Sequence, residues 1–264
     1  MERLSANTIG AGFACPIGMF WPETLRMSAP FSSIAHASDV GLFRDHNEDA
    51  LRVNEDAGLL VVADGMGGHE AGEVASGIVA ETVEDEVVGN GLSLADAVFR
   101  ANEAVLHAVR EGRGASGMGT TCVACRLHGH HLEVVWVGDS RAYLFRGGIL
   151  RPLTRDHSYV QTLVDAGLIE ASEMASHPER HVLAQCVGSD SLQQADIDVY
   201  TVEIEPGDRV LLCSDGLTGE VDDAQIAELL ASHGADASAV KALVNEALVA
   251  GGRDNVTVVA ATIA

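Results

Sequence analysis

The chain has 264 residues, 47% of them hydrophobic, and carries 16 Lys plus Arg against 39 Asp plus Glu for a formal net charge of −23. That length and apolar content supply a packed core for one large domain or two small ones and exclude wholesale disorder, while the acidic balance repels nucleic acid and anionic lipid surfaces. The single lysine, Lys241, lies in the helical stretch AVKALVNEALV, which argues against a phosphate-binding P-loop, a kinase and a Schiff-base enzyme, since each needs a lysine in a loop, strand or pocket.

The first 30 residues hold the apolar run GAGFACPIGMFW after a single Arg3. It is too short to cross a bilayer, contains a proline and lacks a clear small-residue cleavage pattern. Residues 1–30 therefore read as an extension without ordered structure, with Met27 as an alternative start, and residues 31–264 as one domain. No linker, repeat or compositional break interrupts the chain from Ile34 onward.

In chain order, GLLVVAD predicts a strand ending at Asp64, and GMGGH then opens a helix with Ala71, Val74, Ala75, Ile78 and Thr82 on one face. Leu94, Ala97, Val98, Ala101, Val105 and Ala108 mark a second helix, with Ser93 as its N-cap. Strands follow in GTTCVACRL, HLEVVWVGD, RAYLFRGG, IDVYTVEI and DRVLLCSD. Both alternating sets of HLEVVWVGD are apolar (Leu132, Val134 and Trp136; Val135 and Val137), so both faces of its sheet must be covered. Helical segments return after Asp222 and through Val240, Leu243, Val244 and Leu248, and the chain closes on the strand NVTVVAATI. Two helices, a block of strands, more helices and a last strand predict an α+β layered sandwich with sheets inside and helices outside.

The five cysteines, Cys15, Cys122, Cys125, Cys186 and Cys213, are odd in number and irregularly spaced, which speaks for a reduced cytoplasm rather than a disulfide framework. Cys122 and Cys125 form a CxxC inside a predicted strand, where residues three apart point to opposite faces, so core packing is the expectation. No cysteine is followed six positions on by the arginine of a thiol phosphatase loop.

Four aspartates share one context, an apolar strand meeting Asp beside a small residue: Asp64 in VVADGMGGH, Asp139 in VWVGDSR, Asp215 in LLCSDGL and, reversed, Asp254 in GGRDNVTVV. Singly each is ordinary turn chemistry. Jointly, carboxylates at neighbouring strand ends gather into one repelling cluster that the chain has no lysines to neutralise. An all-oxygen set of this kind suits the hard cations Mg²⁺ or Mn²⁺.

The ordered segments SDVGLFRDHNEDA, VVADGMGGHEAGEVAS, GMGTT, VGDSRAYLF, LTRDHSYV, LLCSDGL and GGRDNVTVV, from Ser38 to about Val259, resemble the motifs of the bacterial metal-dependent protein phosphatases of type 2C. The resemblance implies a four-layer α/β/β/α sandwich, a central antiparallel β-sandwich flanked by helix pairs. It implies hydrolysis of phosphoserine and phosphothreonine in proteins by direct attack of a water bridging two Mn²⁺ or Mg²⁺ ions. Asp64 would bridge the ions, the Gly65 carbonyl would bind the second, Asp215 and Asp254 would complete the first, and Asp139 with Asp215 would hold a looser third. Glu48 and Asp49 would order water on the ions, and Arg44 would grip the phosphate. The segment of about 159–187 resembles the family's flap, the seat of substrate choice, and its His177 and His181 are read as surface polar groups.

His69 departs from animal relatives, where a histidine directly follows Asp-Gly and Met66 stands here, so its use as general acid competes with a helix-capping role. The expected partners are phosphoproteins, including a serine/threonine kinase and its targets, for a monomer that binds neither nucleic acid nor membrane. Two other readings stay open. One is a catalytically silent phosphatase-fold binding module; the other is a serine esterase using Ser140 in GDSRA, although Ser140 leads into a strand rather than the helix a nucleophile elbow requires.

Overall fold

The computed structural model describes residues 30–67, 71–234 and 236–264. The segment 1–29, with Cys15 and Met27, and His69 lie outside the described residues.

Strand β1 (Phe31–Asp39) is followed by β2 (Asp49–Asn54) and β3 (Leu59–Met66), helices α1 (Ala71–Glu84) and α2 (Leu94–Arg110), and then strands β4 (Gly119–Thr120), β5 (Cys122–His128), β6 (His131–Val137), β7 (Arg141–Arg146) and β8 (Ile149–Pro152). A short helix α3 (Tyr159–Asp165) precedes β9 (Asp198–Glu203) and β10 (Arg209–Cys213). Helices α4 (Asp215–Thr218), α5 (Asp223–Ser232) and α6 (Asp236–Ala250) lead to β11 (Val256–Ile263). Among the described residues these strands form two sheets, a five-stranded one in the order β1-β11-β10-β7-β8 and a six-stranded one in the order β2-β3-β5-β6-β9 with β4 beside β3. Every named pairing is antiparallel.

Alternation along the strands sorts the apolar side chains into three core layers. On β3, Leu59, Val61 and Ala63 face α1 and α2 while Leu60 and Val62 face the other sheet. On β10, Val210 and Leu212 fill the space between the sheets while Leu211 and Cys213 pack with Leu217, Ile226 and Leu243 of the second helical layer. The result is the four-layer α/β/β/α sandwich. β6 divides as its two apolar sets require, with Val135 and Val137 under the helices and Leu132, Val134 and Trp136 between the sheets. Cys122 and Cys125 likewise lie in different layers.

Three strands escape the sequence pattern: β1, β2 and β8. Each is a sheet edge, where one flank meets solvent and the hydrophobic alternation is diluted. The expected face of α1 also needs correction. Its buried residues are Ala71, Gly72, Ala75, Ser76, Val79, Ala80 and Val83, with Val74 and Ile78 only partly buried at the margin. The helix lies so close to β3 that a Cβ on Gly65 would come within 2.2 Å of the Gly72 carbonyl oxygen. Small residues, rather than the most hydrophobic ones, therefore face the sheet. The α2 stripe and its Ser93 cap stand as read, with the Ser93 hydroxyl accepting from Asp96 N–H.

Candidate metal centre and catalytic cleft

The carboxylates reach one place because antiparallel strands end there together. β3 delivers Asp64 and Gly65, the β6–β7 turn delivers Asp139, β10 runs into Asp215 at the start of α4, and Asp254 stands two residues before β11. Asp49, the first residue of β2, is paired directly opposite Asp64 in the ladder, so two carboxyl groups share one face at cross-strand distance. With Glu48 from the β1–β2 loop, Asp64, Asp139, Asp215 and Asp254 line a cavity of about 770 Å³, together with Arg44, His46 and, from the flap segment, Arg180, His181 and Leu183.

The backbone under Asp64 is braced on both sides. Its N–H donates to Thr121 Oγ1 (3.0 Å), and its carbonyl accepts from Thr121 N–H (2.8 Å) and the Thr120 hydroxyl (2.8 Å). Asn255 ties the β1–β2 loop to the start of β11, donating from Nδ2 to the carbonyls of Val40 and His46 (2.9 Å each) and accepting Glu48 N–H at Oδ1 (2.8 Å). A Cβ on Gly216 would come within 1.9 Å of the Asn255 carbonyl oxygen, so the turn after Asp215 packs backbone to backbone against the entry to β11.

The electrostatics are those of buried like charges. Burial, and after it the charges of Asp49, Asp215, Asp139 and Asp254, holds the Asp64 carboxyl well above the usual carboxylate range. Burial and then Asp215 do the same for Asp139. Asp49 is pushed up to about 7, first by burial, against the neighbouring Thr257 and Ser214 hydroxyls. Its Oδ2 accepts from the Ser214 hydroxyl (2.9 Å) while its Oδ1 is buried without a hydrogen bond. Burial also raises Glu48.

Two basic side chains meet this cluster. Arg44 donates from Nη2 to Asp254 Oδ2 (2.7 Å), and that bond is the first cause of its raised pKa. His181 Nδ1 lies 3.9 Å from Asp215 Oδ2. Arg44, expected beside a phosphate, is thus paired with one of the carboxylates, and His181, expected as a mere surface group, is part of the cleft wall. His177 instead accepts Glu179 N–H at Nδ1 beside the ring of Tyr159. Ser140 is 2% exposed, with its hydroxyl 2.7 Å from Thr121 Oγ1. It supports the Asp64 backbone through Thr121 and offers no exposed nucleophile, so the esterase reading falls.

The flap segment is anchored at both ends. Trp136 Nε1 donates to the Arg155 carbonyl (2.8 Å), His157 N–H donates to the Gly138 carbonyl (2.8 Å), and Arg141 holds Asp156 through Nε and Nη2 (2.8 and 2.7 Å). At the far end Val187 and Thr120 exchange both backbone hydrogen bonds (2.9 Å each). Sequence reasoning missed Thr120, Thr121, Ser214 and Asn255 as supports, and His46 and Arg180 as wall residues. All but Arg180 lie within segments that carry the resemblance, yet only the cross-strand neighbours reveal their tasks.

The profile of the family Protein phosphatase 2C matches residues 44–249. The chain belongs to the protein phosphatase 2C family. Among its protein phosphatase 2C relatives, the serine/threonine protein phosphatase PstP of Mycobacterium tuberculosis is 44% identical over 234 residues, covering 87% of this chain and 44% of the relative. This chain therefore spans less than half the length of that relative. The serine/threonine phosphatase stp of Listeria innocua is 33% identical over 235 residues, covering 84% of this chain and 92% of the relative. A crystal structure of the PstP catalytic domain in complex with two manganese ions superposes with a TM-score of 0.77 at 38% identity, over 87% of this chain and 97% of that one.

The donor set here fits hard divalent ions. The side-chain donors are all oxygen, the Gly65 main chain is freed of a side chain at the cavity wall, and Asp49 Oδ1 is left without a hydrogen bond. Among the described residues no three acidic, histidine or cysteine side chains already close on a single point.

Proposed function

We propose that this chain is a metal-dependent protein phosphatase that hydrolyses phosphoserine and phosphothreonine in proteins. The observation that carries the reading is the convergence of Asp64, Asp139, Asp215 and Asp254 on one cleft, with Asp49 buried opposite Asp64 and an arginine at the edge. A cluster of this kind is costly unless cations occupy it. Asp64 would bridge two ions, the Gly65 carbonyl would serve one and Asp215 and Asp254 the other, while Asp139 with Asp215 would hold a looser third. When bound, Mn²⁺ or Mg²⁺ supplies an activated water and offsets the charge that develops on the phosphoryl group.

The chain's own residues do the rest. Glu48, on the cleft wall, and Asp49, opposite Asp64, would orient water held on the ions. Arg44 meets Asp254 through Nη2 alone, so the other N–H groups of its guanidinium fork would take phosphate oxygens. The flap, at about 159–187, walls the cleft through Arg180, His181 and Leu183 and bears on which phosphoprotein enters.

Phosphoproteins, including a serine/threonine kinase and its targets, are the proposed substrates of a monomeric, cytoplasmic enzyme. None of the four described cysteines is in a disulfide, and among the described residues no helix is long and apolar enough to cross a membrane. A silent binding module is disfavoured because such a domain has no reason to keep so many repelling carboxylates. The deciding experiment is hydrolysis of phosphoserine and phosphothreonine peptides with and without Mn²⁺. Turnover is expected only with the ion and should stop in EDTA, whereas okadaic-type inhibitors of the other phosphatase class leave it untouched. Full activity in EDTA sinks the two-metal reading.

A further inference from the structure

The lip of the cleft beside Arg44 carries two large apolar side chains in succession. Leu42 is 65% exposed and Phe43 74% exposed, and Phe43 lines the same cavity as the carboxylates. A single exposed leucine needs no explanation, but an aromatic held out beside a functional group does. The loop that presents them is braced. Gly41 N–H donates to Asp39 Oδ1 (2.9 Å), Leu42 N–H donates to the Gly252 carbonyl (2.7 Å), and Asn255 holds Val40 and His46 on either side. Leu42 leans over Gly252, where a Cβ would come within 2.9 Å of its Cγ. Phe43 therefore faces solvent from a fixed platform. Leu183 and Met66 line the same cavity, so its lining is partly apolar around an acidic cluster.

We infer that Phe43 receives an apolar side chain adjacent to the phosphorylated residue of the substrate protein, making it a specificity-determining residue. The inference rests on the phosphatase reading. A phosphate that reaches the floor near Arg44 brings its neighbours, each about 3.3 Å further along an extended chain, past the lip on which Phe43 stands. An apolar neighbour covers the ring and removes water from the surroundings of the Arg44 contact, whereas a small polar neighbour leaves both wet. Aromatic side chains on a rigid support give such contact at little cost in conformational entropy.

The test uses phosphothreonine peptides that differ only in the residue flanking the phosphothreonine, leucine against serine, on either side, with Mn²⁺ present. The leucine peptides are expected to have a kcat/KM higher by about tenfold, mostly through KM. That ratio should fall to near one in Phe43→Ser and survive in Ile149→Ser, a control at an apolar side chain 71% exposed on β8 that does not line the cavity. Equal rates for all peptides with the wild-type protein, or a preference that survives Phe43→Ser, overturns the inference while the phosphatase reading stands. A dimer in solution that Phe43→Ser splits overturns it as well, since the lip then belongs to a second copy. Failure to hydrolyse any phosphopeptide overturns the phosphatase reading and this inference with it.

Discussion

Strand β10 carries buried charge at both ends and treats it in opposite ways. At its start Arg209 donates from Nε to Asp236 Oδ1 (2.9 Å) and from Nη1 to the carbonyls of Leu230 and His233 (2.6 and 2.9 Å), while Thr262 donates to Asp236 Oδ2 (2.8 Å). Just past its other end Asp215 adds its charge to the buried carboxyls of Asp49, Asp64 and Asp139, whose pKa values it helps to raise. The first arrangement pairs its charge within the chain, leaving only Arg209 Nη2 without a hydrogen bond, and locks α6 to the sheet. The second leaves them for something outside the chain. The difference teaches that burial alone does not mark a functional site; buried charge without an internal counter-charge does.

The most drastic way to separate the two ends is to neutralise one carboxylate at each. Asp64→Asn, and equally Asp254→Asn, should lose turnover by about a thousandfold or more, as expected when several kcal/mol of transition-state stabilisation are removed. The metal-free thermal midpoint should stay level or rise, since repulsion is relieved. Asp236→Ala should do the reverse, losing about 3–5 kcal/mol of stability by stranding the buried Arg209 while Mn²⁺ binding by calorimetry survives in the folded fraction. A large fall in the midpoint of Asp64→Asn would make that residue structural and erase the contrast.

The pH dependence sharpens the same comparison. Asp49 has its folded pKa raised from 3.8 to about 7, and Asp64 and Asp139 are raised in the same sense. Between those limits the folded metal-free protein holds more protons than the unfolded chain, so its stability falls as pH rises from about 4 to about 7. Urea titrations of metal-free protein across this range should show the decline, and saturating Mn²⁺ should flatten or invert it. A stability that climbs with pH in the absence of metal would contradict the buried-carboxylate picture.

Two smaller effects grade the site. Asp139→Ala should retain two tightly bound ions by calorimetry yet lose turnover and require more metal for any residual rate, because one carboxylate is removed from a mostly hydrated ion. Wild-type turnover at ordinary metal concentrations would return Asp139 to a turn residue. Arg44→Ala should mainly raise KM and should also tighten Mn²⁺ binding, since Asp254 is released from its 2.7 Å partner. An unchanged metal affinity would mean that this ion pair does not compete.

Much of the molecule was readable without coordinates. Central strands such as β6 and β10 are apolar on both faces because both faces are covered, and that alone imposes layers of helix outside sheet. The strand-end aspartates stood out because an apolar run meeting Asp is visible locally. The edge strands β1, β2 and β8 were not visible, since half-solvated strands lack a clean alternation. The inward face of α1 was misjudged because the closeness of Gly65 to Gly72 favours small residues, and closeness between segments leaves no trace in periodicity.

The sequence by itself determined that this chain folds as an α+β sandwich and that its carboxylates outnumber any internal partner. The apolar patterning of strands and helices fixes the first outcome, and a charge of −23 with one lysine and a recurrent strand-to-Asp pattern fixes the second. Only the tertiary structure decided which groups meet: that Asp49 stands opposite Asp64, that Arg44 rests on Asp254, that Ser140 is buried behind Thr121 and that Phe43 stands out at the lip. Those facts depend on ladder register and on contacts between segments up to 210 residues apart. Such contacts are set by the packing of whole layers, which no local stretch of sequence encodes.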